Sequence, residues 1–517
     1  MSEQRPNIIY ILGDDHRVEQ QGCMGHPIVQ TPNIDALARD GVLFTHAFCT
    51  SPACTPSRAC HYTGQWERRH GINFNSGSSL EPSAWERSFP MQLKKAGYYL
   101  GWVGKNHVPA GGGRRGYDSG YFEEVFDYWY GNHGHSGFYP KEQAGPGGRI
   151  YSNARADTQV EIFEEGALNF LDPQKSFIES CARPLPRRPE QQPFCLCVTF
   201  NLPHAYGTGN MQLRPTDDEL YITRYRDRFD EVPLPATYVA FGSIEEPRVP
   251  VEVYNGIYLA SYDYVRMPRT LRERRIREYQ TITGMDRMVG HLRETLERLG
   301  LADNTIIVFS TDHGIHHGEH GLGGKCFLYE EDIRIPLAIY DPRRRDRAIA
   351  RTREELVVVP DLAPTVMDLC GLSIPDSMQG RSLRPLLDGE QPEWRQEIFT
   401  EQLMDIQNYP RSESVRTGDW KYIRYFARTE DPQQAGKTFR GTLDDYNACL
   451  TSTLRGEEPV YEELFGLKDD PGETTNLAQD SRYADDLARL RGRVGELARA
   501  AKGDDSPPLT IPFGQAS

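Results

Sequence analysis

Chemistry is most concentrated in the segment Cys54-Thr55-Pro56-Ser57-Arg58. Proline is favoured in the first turn of a helix and Ser57 to Thr63 can continue as one, so the spacing puts Cys54 at or just before a helix N-terminus. Unpaired backbone N–H groups and the helix dipole favour negative charge there, and Arg58, one turn along, adds a fixed positive charge. A lone cysteine in a proline-rich turn is more often an inert buried thiol. What the rest of the chain brings to Cys54 decides between the two.

Four apolar runs end in polar clusters. Asn7 to Leu12 leads into Asp14 and Asp15, Tyr98 to Val103 into Gly104-Lys105-Asn106-His107, Phe194 to Phe200 into Asn201-Leu202-Pro203-His204, and Thr305 to Phe309 into Asp312 and His313. Each run reads as a strand of a parallel sheet buried on both faces. In open α/β sheets ligands bind beyond the carboxyl ends of the strands, so the four clusters are expected to converge. Adjacent carboxylates at the end of a buried strand repel each other and lose solvation, and therefore need a cation or strong donors. Asp14, Asp15 and Asp312 supply hard oxygen ligands suited to calcium or magnesium, with His313 a fourth ligand or a donor. Arg58, Lys105, His107, His204 and Lys325 supply positive charge or protons. A divalent metal among basic side chains suits a small oxyanion, with hydrolysis or transfer at sulfur or phosphorus as its chemistry.

The elements that must position these groups follow from length and pattern. At 517 residues the chain exceeds one ordinary core, so a large domain and a smaller one are expected. We place the large α/β domain, a mostly parallel sheet sandwiched by helices, at residues 1–385. A smaller α+β domain with an antiparallel sheet then occupies residues 393–517, after the turn-rich stretch Pro385 to Pro392. Ile398 to Thr400 and Trp420 to Tyr425 read as strands of that sheet, and Tyr483 to Ala501 as a closing helix with Leu487, Leu490, Val494 and Leu497 inward. Met285, Met288, Val289, Leu292, Leu296 and Leu299 form a helical core stripe that stops at Gly300. Residues 110–150, rich in glycine, tyrosine and histidine, read as a long ordered loop. Arg272 to Arg277 reads as a solvated helix face, Arg343 to Arg345 as a loop, and His316, His317 and His320 as surface or pocket-wall residues.

A net charge of −15 argues against a nucleic-acid partner, and ten cysteines in this length make no disulfide framework. The polar start and the five-residue run Ile8 to Leu12 are too short for a leader or a membrane span. As written, a cytoplasmic protein is expected; a trimmed N-terminus would instead point to the periplasm or secretion.

Taken together, these motifs resemble the type I sulfatases of the alkaline phosphatase superfamily. Cys54-Thr55-Pro56-Ser57-Arg58 is similar to the C-x-P-x-R sequence that directs oxidation of the cysteine to Cα-formylglycine. Asp14-Asp15 and Asp312-His313-Gly314 resemble the two metal pairs, and Gly104-Lys105-Asn106-His107 the G-K-x-H element. Gly318 to Lys325 with Tyr329-Glu330 resembles the lysine element, and the segments at 416–422 and 463–477 the small sheet domain. The resemblance implies a formylglycine-generating maturase as partner and a hydrated formylglycine at Cys54 as nucleophile. It implies a metal, calcium or alternatively magnesium, held by Asp14, Asp15, Asp312 and His313, with residue 54 counted among its ligands. Lys105 and Lys325 would hold sulfate oxygens, Arg58 would steady the formylglycine, His107 would be the base for sulfate release and His204 would protonate the leaving alkoxide.

Many sulfatases carry asparagine at the position of His313, and an Asp-His pair also occurs in relatives that cleave phosphodiesters and phosphonate monoesters. That activity is the alternative, and an inactive sulfated-glycan binder the non-enzymatic one; the G-K-x-H element favours sulfate esters. Tyr117, Tyr121, Trp129, His133 and His135 suit stacking on sugar rings, so a sulfated carbohydrate is the expected substrate, with small sulfate esters read by the same groups.

Overall fold

The computed structural model describes residues 5–73, 76–113, 116–117, 119–134, 159–172, 186–204, 218–250, 253, 260–347, 349–403, 409–427 and 443–514. Its main sheet has eight strands: β1 (Asn7–Asp14), β2 (Val42–Phe44), β3 (Tyr99–Asn106), β4 (Tyr128–His133), β5 (Phe194–Pro203), β6 (Thr305–Thr311), β7 (Leu337–Tyr340) and β8 (Thr352–Arg353). Their order is β8-β2-β7-β6-β1-β5-β3-β4, and every pair is parallel except those made by β7. The expected fold class is thus present, and β1 lies at the centre.

Alternation along the central strands divides the core in two. Ile9 and Ile11 of β1, with Leu196 and Val198 of β5, pack under α1 (Pro32–Asp40), α4 (Gln159–Leu171) and α5 (Pro268–Arg298). Ile8, Tyr10, Cys195 and Cys197 face the other way, under α2 (Cys54–Thr63), α3 (Phe89–Lys95) and α6 (Leu362–Leu369). The stripe Met285, Met288, Val289, Leu292 and Leu296 on α5 is core packing, as its period requires, each side chain contributing about 1.5–3 kcal/mol.

The four site-bearing strands run further than their apolar cores. Asp14 lies within β1, Lys105 and Asn106 within β3, Pro203 within β5 and Thr311 within β6. Backbone pairing continues where the side chains turn polar, which an apolar-run criterion does not detect. Residues 110–134 are also not simply a loop: a short helix Tyr121–Val125 leads into β4, which pairs with β3 at the sheet edge. The remainder of that expected loop, His135 included, lies outside the described residues.

A second sheet, β9 (Glu397–Gln402), β10 (Ser412–Thr417), β11 (Trp420–Tyr425) and β12 (Tyr461–Gly466), is antiparallel throughout. It is covered by α7 (Ala484–Lys502) through Leu487, Leu490 and Val494. Of the preceding stretch, Leu386 and Leu387 belong to a short helix and are buried in the large core, so it is less polar than its composition suggests. Among the described residues no helix is long and apolar enough to cross a membrane.

Candidate active site

The carboxyl ends of β1, β5, β3 and β6 meet at the start of α2. Cys54 is the first residue of α2, preceded by an extended Ala53 with no side-chain cap, so the first-turn N–H groups are left for whatever sits there; Pro56 occupies a position whose N–H is not needed. Cys54 Sγ lies 3.0 Å from Lys325 Nζ, 3.3 Å from Asp14 Oδ1 and 3.4 Å from His313 Nε2. The thiol is therefore no isolated core cysteine.

Cations and carboxylates alternate around it. Lys105 Nζ donates to Asp14 Oδ2 at 2.6 Å, Lys325 Nζ to Asp15 Oδ1 at 3.0 Å, and Arg58 Nε to Asp312 Oδ2 at 2.9 Å. Arg58 Nη2 also donates to the carbonyls of Gly13 and Phe200, each at 3.0 Å, tying α2 to the ends of two strands. Asp15 takes a left-handed backbone conformation, φ 61°, and its N–H reaches Asp312 Oδ1 at 3.3 Å; Cys326, after Lys325, has φ 74°. Two strained non-glycine residues at one site are a signature of function.

Burial raises the Asp14 carboxyl, yet Lys105, His204, Arg58 and Lys325 together hold it well below the usual carboxylate range. Asp15 goes the other way: burial, reinforced by Asp14 and Asp312, outweighs Lys325 and His313 and moves it to about 6. Burial opposes a charge on His313, but Asp312 chiefly carries it up to about 9.

His204 follows β5 and is buried, its Nε2 3.5 Å from Asp15 Oδ2. His107 follows β3, is buried, and lies over Tyr117, ring centroids 6.2 Å apart. Of the expected sugar-stacking residues, Trp129 instead packs on Trp102 and His133, and His133 meets Glu123 at 2.8 Å. Among the described ones, Tyr117 lies near the site, within electrostatic range of Cys54 and Arg58.

A divalent cation fits these donors. Oxygen, sulfur and imidazole atoms of Asp14, Cys54, Asp312 and His313 lie within 4.8 Å of one another, as do those of Asp14, Asp15, Cys54 and His204. No hydrogen bond reaches the buried Asp15 Oδ2 among the described residues. Three buried carboxylates with one imidazole form a hard donor set suited to calcium or magnesium.

Three expectations are corrected here. His316 and His317 are fully buried, pairing with Asp332 at 2.7 Å and Glu278 at 3.2 Å, rather than lining a surface. Arg274 and Arg275 are buried, so Arg272 to Arg277 is not a solvated face. Pro342–Arg344 forms a helical turn in which Arg343 and Arg344 both bind Asp341. The sequence reading also missed Tyr262, buried beside Lys325 and Asp15; a tyrosine between other tyrosines gives no signal of that placement.

The sulfatase family profile matches residues 6–372, and that of the C-terminal region of N-sulphoglucosamine sulphohydrolase matches 318–434. The chain is 26% identical to an N-acetylglucosamine-6-O-sulfatase of Bacteroides thetaiotaomicron, over 97% of this chain and 88% of that one. It is 25% identical to an arylsulfatase of Clostridium perfringens, over 94% and 93%. Its fold is similar to that of a protein solved with its substrate D-glucosamine-2-N,6-O-disulfate, at TM-score 0.68 and 24% identity over 97% and 99% of the chains. A phosphonate monoester hydrolase of Agrobacterium radiobacter is also similar, at TM-score 0.63 and 22% identity over 96% of each. With the profile spanning most of its length and the strand ends built as described, the chain belongs to the sulfatase family of the alkaline phosphatase superfamily, the hydrolases of sulfuric esters.

Proposed function

We propose that this chain hydrolyses a sulfate ester on a saccharide, with an oxidised Cys54 as nucleophile. The observation that carries the reading is the convergence of Lys325, Asp14 and His313 on Cys54 Sγ at a helix N-terminus, within 3.0–3.4 Å. Asp14, Asp15, Asp312 and His313, with residue 54, would hold calcium or magnesium, which when bound would supply Lewis-acid polarisation of the sulfate. Formylglycine at position 54, made by a maturase and hydrated to a geminal diol, would attack sulfur through one hydroxyl; the other, on losing its proton, would expel sulfate with the attacking oxygen as the aldehyde reforms, a route closed to a thiol.

The chain's own groups do the rest. Lys105 and Lys325 would hold sulfate oxygens as charge builds on them. His204 gives a proton to the leaving oxygen, His107 acts as base for sulfate release, and Arg58 steadies residue 54. The relatives named for N-acetylglucosamine 6-sulfate and solved with a glucosamine disulfate support a sulfated sugar. We assign catalysis to residues 1–385 and a supporting role to 393–517.

Two measurements test this. Peptide mass spectrometry of protein from its native host should find Cys54 as formylglycine; thiol alone would count heavily against hydrolysis. Rates on sulfated oligosaccharides should exceed those on phosphonate monoesters and phosphodiesters. His313 beside Asp312 and the phosphonate hydrolase neighbour favour the second reading, and a preference for phosphonates by orders of magnitude would establish it instead.

A further inference from the structure

Helix α5 carries a buried ion pair that the reaction as described does not use. Arg274 and Glu278 are one helical turn apart and only 3% and 1% exposed. Glu278 is a hub: its Oε1 accepts from Arg274 Nε at 2.8 Å and faces His317 Nε2 at 3.2 Å, while Oε2 accepts from Gln20 Nε2 at 2.9 Å. Arg274, its guanidinium over the Tyr264 ring at 5.2 Å, donates through Nη2 to the carbonyl of Pro203. Pro203 immediately precedes His204, whose Nε2 is 3.5 Å from Asp15 Oδ2. His317 sits on a small ribbon opposite Gly323, two residues before Lys325. One carboxylate thus reaches the turn after β1, the peptide before His204 and the strand leading to Lys325.

A buried ion pair is weak evidence for stability, because apolar residues of similar volume often serve as well or better. What the pair does supply is a fixed direction. A guanidinium held by Glu278 on one edge and stacked on Tyr264 can meet the Pro203 carbonyl in one orientation only, and that peptide plane sets where the His204 ring projects.

We propose that Arg274, locked by Glu278, is a positioning residue for His204, aiming its ring N–H at the leaving-group oxygen. This rests on His204 being the acid. As the bond from sulfur to the leaving oxygen breaks, its electron pair stays on that oxygen and the proton comes from His204. An alkoxide leaving group needs that proton; a nitrophenolate scarcely does.

The test is a leaving-group series on the full-length, formylglycine-bearing, metal-replete enzyme, comparing a sugar or alkyl sulfate with para-nitrophenyl sulfate. His204→Ala is expected to lose activity selectively on the alkyl substrate. Arg274→Ala should reproduce that selectivity, with a loss in kcat/KM of about 10- to 100-fold on the alkyl sulfate and less than about threefold on the aryl sulfate. Arg274→Lys should recover part of it and is read in place of the alanine variant if that one fails to fold. If His204→Ala is selective while the Arg274 variants lose equally on both substrates, the positioning role is overturned and the acid stands. If His204→Ala is itself unselective, the acid assignment falls and the positioning role with it.

Discussion

At the scale of single residues the site is a balance of buried charge. Asp14, Asp15 and Asp312, all essentially inaccessible, are matched here by Lys105, Lys325 and Arg58. If a divalent cation takes over the carboxylates, the lysines are released towards a sulfate and the protein gains stability by mass action. Calcium at a hundredfold excess over its Kd is worth about 2.7 kcal/mol. We therefore expect chelation to lower the thermal unfolding midpoint and calcium to restore it. Asp15→Asn should shrink that calcium-dependent shift at fixed ion concentration; a midpoint indifferent to calcium in both proteins would remove the metal from the site. These carboxylates were legible in the sequence because paired charge at the end of a buried strand is too costly to persist without a cation to meet it. His316, His317 and Arg274 were not, since what buries them, Asp332, Glu278 and the Pro203 carbonyl, is brought by distant parts of the chain or by helical spacing that a solvated face shares.

At the scale of elements, the proposed catalytic groups depend on strands keeping close register as their side chains turn polar. Gly104 is the sharpest case. Its φ is +97°, and a Cβ there would fall 2.1 Å from the Thr199 carbonyl oxygen and 2.7 Å from the Phe163 ring. Only glycine lets β3 lie this close to β5 while presenting Lys105 to Asp14. Gly104→Ala should cost about 1–3 kcal/mol in backbone strain alone, with the carbonyl clash added, and lower activity by displacing Lys105. The checks are the unfolding midpoint and kcat/KM on an activated sulfate; a variant matching the parent in both would show the contact to be slack. The sequence announced the glycine through its place before Lys105, and the central strands through their apolar cores. It did not announce β4, because the glycine, asparagine and histidine that follow its three aromatic residues read as a loop, and the edge strand gains its ladder only from β3.

At the scale of the whole molecule, the two sheets are joined beside the site by a short helix, Glu67–His70, just after α2. Arg68, fully buried, donates to Glu401 of β9 at 2.5 Å and to Glu413 of β10 at 2.6 Å, so its charge is committed to the smaller sheet. Glu67 is equally buried, and among the described residues no cation pairs with it. Burial first, and Glu401 second, push its carboxyl up to about 8, although Asn73 at 2.6 Å and Tyr446 at 3.0 Å donate to it. In the fold Glu67 is then protonated at neutral pH. A raised carboxyl binds its proton more tightly folded than unfolded, so its contribution is fully present below the ordinary value of 4.5 and is lost as pH rises towards about 8. Within that window each pH unit costs up to about 1.4 kcal/mol. Glu67→Gln keeps a neutral acceptor in place and should remove the slope, so its unfolding midpoint should stand above the parent's at alkaline pH and converge with it under mild acid. Parallel curves for the two proteins would assign the alkaline loss to other groups. The consequence reaches catalysis, because His70 of the same helix contacts Cys60 of α2 at 3.4 Å, and α2 begins at Cys54. If ionising Glu67 loosens the junction that holds the helix of the proposed nucleophile, alkaline inactivation of the parent should accompany its loss of stability and move to higher pH in Glu67→Gln.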